Sequence, residues 1–148
     1  MRRSEYIAAR CDPKTLTAAQ LMQDAVITCS PRTSALRIAL LMTDRHIGSL
    51  PVVDEHKNLL GIISEADLLT QILKDKDLRS LTAADLMTKD VLKVSEDRTF
   101  IDLARLFEDR RLIRVPVVRE GKLVGIVARR DLVFGFLNAS IHPLAQDA

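Results

Sequence analysis

A phrase written twice limits this chain more than any other feature. TAAQLMQDAVITCS begins at Thr17 and TAADLMTKDVLKVS at Thr82, and at the same spacing DRHIGSLPVVDEHK (44–57) matches DRRLIRVPVVREGK (109–122). A one-residue gap opposite Asn58 then aligns GIISEADLL (61–69) with GIVARRDLV (125–133). Residues 17–69 and 82–133 share 21 identities in 52 aligned pairs, which marks an internal duplication. One copy is too short to bury much apolar surface alone, so the two are expected to pack as a pseudo-twofold pair.

Each copy carries the same signals in the same order. A short strand (26–29 and 91–94) precedes a helix (35–44 and 100–109). Ser34 and Thr99 stand at the N-caps, and Thr99 with Asp102 has capping-box spacing. LPVV (50–53) with LLGII (59–63), and VPVV (115–118) with LVGIV (123–127), read as hairpins of buried strands, the second turning at Glu120-Gly121. A last helix is expected over 64–73 and 129–137. The fold class is therefore α/β in the α+β sense, strand-helix-strand-strand-helix performed twice. The expected organisation is an N-terminal segment 1–16, repeat one 17–73, a polar linker 74–81, repeat two 82–137 and a C-terminal tail 138–148.

Composition narrows the function classes. A hydrophobic fraction of 47% supports a real core, while 3% aromatics and no Trp argue against base stacking or aromatic cages. A net charge of +2 is too small to mark a nucleic-acid binder, although repeat two is the more basic. Arg110 to Asp131 sums to +5, against −2 for the matched stretch Arg45 to Asp67. Cys11 and Cys29 lack metal or redox spacing and suit a reducing compartment. The N-terminal MRRSEYIAARCDPK has no apolar core of a secretory signal, and no apolar run is long enough to span a bilayer, so a cytoplasmic location with no membrane partner is expected. His46, His56 and His142 stand alone, and no nucleotide-loop, zinc-protease or serine-hydrolase motif is present, so an enzyme is not expected.

The ordered set LMQDAVITCSPRTSALRIALLM, SLPVVDEHKNLLGIISEADLL, LMTKDVLKVSEDRTFIDLARLF and RVPVVREGKLVGIVARRDLV resembles a pair of CBS (cystathionine-β-synthase) domains, a Bateman module, over roughly residues 17–137. The resemblance implies a regulatory protein that binds AMP, ADP, ATP or S-adenosylmethionine in clefts between its repeats and requires no other cofactor. It also implies dimerisation, and a separate effector protein as the thing regulated. By position it makes Asp67 the ribose anchor of one cleft, with Ser64 toward phosphate, and Asp131 the anchor of the other, where Ala128 replaces the hydroxyl. Around Asp67 it places Gly48, Ser49, Met87, Leu92, Leu112 and Arg114. Around Asp131 it places Ile113, Arg114, Met22, Ile27, Thr28 and Ile47.

The chemistry of those residues fits such a role. A carboxylate in the first turn of a helix can accept both hydroxyls of a ribose diol while the helix N-terminus attracts phosphate. Arg129 and Arg130, beside Asp131, could replace the hydroxyl that Ala128 lacks. Ser-x-x-Asp is also an ordinary helix cap, worth about 0.5–2 kcal/mol. If capping alone fixed the acid, loss of the Ser should relax it, yet Asp131 stands beside Ala128. The competing reading is a ligand-free interaction module, because SALRIALLM (34–42) carries a single charge, Arg37, and LVFGFL (132–137) is equally apolar. Both stretches point to a homodimer.

Overall fold

The computed structural model describes residues 12–145, with side chains described as far as Ser140. The expected tail positions 146–148, the segment 1–11 with Cys11, and the side chain of His142 lie outside the described residues. After a 3-10 turn at Pro13–Thr15, the order is α1 (Ala18–Leu21), α2 (Ala35–Arg45), β1 (Ser49–Val53), β2 (Leu59–Ser64), α3 (Glu65–Leu73), α4 (Ala83–Leu86), β3 (Val94–Ser95), α5 (Phe100–Arg110), β4 (Arg114–Arg119), β5 (Lys122–Ala128) and α6 (Arg129–Ala145). Two compact units result. One comprises Ile27–Val91 with Gly121–Leu123, and the other the residues up to Val26, Leu92–Glu120 and those from Val124 on. Among the described residues no helix is long and apolar enough to cross a membrane.

In the first unit β1 and β2 pair antiparallel, with Leu50 opposite Ile63 and Pro51 opposite Ile62. The expected strand at 26–29 shrinks to one parallel bridge, Cys29 to Val52. Cys29 N donates to the Pro51 carbonyl at 3.0 Å and Val53 N to the Cys29 carbonyl at 2.9 Å. The next rung back needs a donor from residue 51, and proline has none, so the ladder stops. Pro116 blocks the same rung in the other unit, so the strand expected at 91–94 is reduced to β3, where Val94 pairs with Val117 and one further pair, Ser95 to Val118, is added forward. Burial pushes the Cys29 thiol up to about 11, so it stays protonated at neutral pH.

The long helices start where their caps predict. Ser34 Oγ accepts from Arg37 N at 3.1 Å, and Thr99 Oγ1 accepts from Asp102 N at 3.3 Å. The expected capping box at Thr99 is only half made, because the Asp102 carboxylate faces the Arg98 guanidinium at 4.0 Å. Both helices end on a left-handed residue, His46 (φ 54) and Arg111 (φ 51), whose neighbours Ile47 and Leu112 donate back to Met42 and Phe107. The last helix of the second unit runs to Ala145, eight residues past the expected end. The helices turn matched residues inward. Ile38, Met42, Leu50, Val52, Ile63 and Leu68 fill the first core, and Leu103, Phe107, Val115, Val117, Val127 and Leu132 the second.

Two four-residue helices do not stay with the rest of their own repeat. Ala83 N and Ala84 N of α4 donate to Thr33 and Pro31, and Thr88 exchanges both backbone hydrogen bonds with Ile62 of β2 (3.0 and 2.9 Å). In the other unit Ala18 N and Ala19 N of α1 donate to Arg98 and Glu96, and Gln23 exchanges both bonds with Ile126 (2.8 and 2.9 Å). Residues 74–81, the expected linker, form turns, and the Leu78 and Leu81 carbonyls accept from Leu36 N and Ala35 N at the start of α2.

These close approaches explain the one glycine position that the repeats share, Gly61 and Gly125. A Cβ on Gly61 would lie 2.7 Å from Met87 Sδ and 2.8 Å from the Thr88 carbonyl oxygen, and one on Gly125 would run into Met22 Sδ with the Gln23 carbonyl oxygen at 3.0 Å. Gly61→Ala and Gly125→Ala should each lower unfolding free energy by about 1–3 kcal/mol through overpacking, measured by urea denaturation. Gly121→Ala creates no such clash, since open space surrounds its Cβ position, and isolates the strain of its positive φ.

Candidate functional site

Each unit presents one aspartate in the first turn of the helix that follows its hairpin. In the first unit, Ser64 is the N-cap of α3. Asp67 N donates to Ser64 Oγ at 3.4 Å, while Asp67 Oδ2 accepts from Ser64 N at 2.8 Å and Ser64 Oγ at 3.1 Å. One carboxylate oxygen thus completes a capping box, and Oδ1 makes no hydrogen bond among the described residues. Asp67 is half-buried.

The loop before β1 packs against this helix start. Glu65 N donates to the Gly48 carbonyl at 3.0 Å, and the Glu65 carboxylate lies across Gly48, 2.7 Å from where a Cβ would stand. Ser49 opens β1 opposite Ser64. Met87 reaches the same hairpin through its contact at Gly61. Ile27, Thr28 and Ile47 belong to this unit as well, all half-buried.

The matching place in the second unit differs in charge and burial. Asp131 is fully buried, the single buried polar or charged side chain among the described residues. Its Oδ2 accepts from Ala128 N at 2.8 Å, and its Oδ1 accepts from the Gln23 side-chain amide at 3.2 Å. Arg129 N donates to the Ile113 carbonyl at 3.0 Å, the counterpart of Glu65 on Gly48. Arg129 and Arg130 are exposed. Arg114 is half-buried at the start of β4, and burial pushes its guanidinium below the usual range while the Asp131 carboxylate opposes that shift.

Of the remaining residues assigned from sequence, Met22 is buried with its sulfur against Gly125, and Leu112 packs on the second core. Leu92 and Ile113 are exposed hydrophobics of that unit, Ile113 at 64%. The retained acid beside Ala128 does not by itself argue for a ligand, because Asp131 still caps its helix through the Ala128 amide. Two participants escape a sequence reading. Glu65 over Gly48 is signalled only by its oppositely charged counterpart Arg129, and Gln23 only by its mismatch with Thr88 in the repeat alignment. No group of side chains among the described residues is placed to hold a metal ion.

Comparison with known proteins identifies the family and the fold. The family model "CBS domain" matches twice, over residues 18–74 and 83–138. An uncharacterized protein of Methanopyrus kandleri is 33% identical over 122 residues, 81% of this chain, and the chain spans 62% of that relative's length. Among solved structures, CBSX2 in complex with AMP is 29% identical with a TM-score of 0.71, covering 82% of this chain and 96% of that one. The CBS domain pair of protein MJ0100, in complex with 5'-methylthioadenosine and S-adenosyl-L-methionine, is 28% identical with a TM-score of 0.69, covering 81% and 94%. With both repeats matched and the pair fold shared, the chain belongs to the CBS-domain family and carries two copies of that domain.

Proposed function

We propose that this protein is a regulatory sensor that binds an adenosine-containing ligand, AMP, ADP, ATP or S-adenosylmethionine, and passes its occupancy to a separate effector protein. The observation that carries the reading is Asp67, a half-buried carboxylate with one oxygen fixed by its cap and the other open to a donor. A ribose diol supplies such donors, and Ser64 with the first amides of α3 suits the phosphate that follows. The AMP complex of CBSX2 and the adenosyl complexes of the MJ0100 pair support the ligand class. The role is binding and signalling rather than catalysis.

Binding to the native state alone at 100 times the dissociation constant stabilises a protein by about 2.7 kcal/mol, or roughly 5–10 °C for a chain of this size. A thermal-shift panel of the four ligands should show a rise of that order. Asp67→Asn, which keeps a cap acceptor but loses the charge, should weaken binding about tenfold. No shift with any of the four would leave the chain an interaction module.

Arg114, Arg129 and Arg130 make the Asp131 anchor the more cationic one, so it should prefer the more highly phosphorylated ligand. In an Asp67→Asn background, isothermal titration should find ATP tighter than adenosine, and equal or better binding of adenosine contradicts the assignment.

The apolar faces favour a homodimer alongside ligand binding. Leu36 and Leu40 on α2 and Leu69, Ile72 and Leu73 on α3 are exposed. On the second unit a groove of about 620 Å³ runs between α5 and α6, lined by Phe100, Phe107, Val133, Phe136 and Leu137 among others. A second copy of the chain would cover both. Sedimentation should give a dimer at micromolar concentration and a monomer for Leu40→Glu with Val133→Glu; a monomeric wild type contradicts this.

A further inference from the structure

The two anchors differ in one contact that neither the family pattern nor the charge comparison contains. Gln23 follows α1, and its backbone is locked to Ile126 by two hydrogen bonds, which fixes its Cα beside the start of α6. From there its side-chain amide donates to Asp131 Oδ1 at 3.2 Å. The other oxygen holds the Ala128 amide at 2.8 Å, so both oxygens of this buried carboxylate are engaged within the protein. The repeat alignment puts Thr88 in place of Gln23. Thr88 is locked to Ile62 in the same manner, but its shorter side chain makes no hydrogen bond to Asp67 among the described residues.

We propose that Gln23 is a selectivity residue that covers the second ribose anchor, its amide taking the acceptor on Asp131 that a ribose hydroxyl would otherwise use. This rests on the reading of Asp67 and Asp131 as ribose anchors. An amide donor and a hydroxyl donor compete for one lone-pair direction on a carboxylate, and a hydrogen bond to a charged group is among the stronger ones. Gln23 is otherwise exposed, so its side chain can rotate into solvent without disturbing the core. A nucleoside ligand therefore fills the Asp67 anchor first and reaches Asp131 only by displacing the amide. The two sites then respond over different concentration ranges, although they arose by duplication of one sequence.

The test uses the full chain and AMP in isothermal titration. Wild type should show one tighter site and a second at least about tenfold weaker. Gln23→Thr, which copies the other repeat, should bring the second site to within a few fold of the first. Gln23→Asn keeps the amide but is one methylene short, and should do the same if Thr disturbs folding. Adding Asp131→Asn to either variant should remove the gained site, a result that a purely structural role for Gln23 does not give. Two equal sites in wild type, or a second site unchanged or weakened in the Gln23 variants while the Asp67 site persists, overturns the cover and leaves the nucleotide reading standing. Absence of AMP binding from wild type and every variant overturns both.

Discussion

Everything in each unit is organised by a close backbone approach across a glycine. Thr88 can pair with β2, with Met87 packed over the hairpin, only because Gly61 has no side chain, and Gln23 can pair with β5, with Met22 packed likewise, only because of Gly125. That approach closes each hairpin with a segment from the other repeat and fills the pocket above the glycine with a methionine thioether. It also sets the position of residue 23 or 88 beside the helix start, and so determines what faces each aspartate. A flexible, unbranched methionine suits such a narrow gap over a glycine.

Much of this architecture is legible in the residues themselves. The spacing of Ile38 and Met42, or Leu103 and Phe107, gives the helices, and the LPVV and VPVV runs give the buried strands expected of continuous apolar runs, with three consecutive residues buried in each. The losses are equally physical. Pro51 ends the 26–29 ladder by lacking a donor, and α1 and α4, at four residues, are too short to show a period. The exchange of those short helices between repeats leaves no local mark, because a chain order says nothing about which copy a segment joins.

The site shows the same division. Ser64 and Asp67 lie three residues apart, so their geometry follows from the helix they begin, and the capping box forms as the spacing requires. The Asp131 side of the comparison could not be read so far. Its partner Gln23 is 108 residues away, and only the fold brings the amide to the carboxylate. The exchange of Ser64 for Ala128 looks like the main difference between the anchors in sequence, yet the removed hydroxyl leaves the cap standing. The larger contrasts are burial, the Gln23 amide, and the reversal of charge from Glu65 to Arg129 at the loop contact.

One duplicated helix start is thus proposed to serve as two unequal receptors for the same chemistry, the first open and the second engaged. An NMR titration of the uniformly labelled protein with AMP tests this most directly, because it resolves the two anchors in one experiment. The backbone amides of Ser64, Glu65 and Asp67 should shift and saturate first, with Ala128 to Asp131 following only at higher concentration. Shifts confined to residues away from both helix starts, or saturation at Asp131 before Asp67, would contradict it.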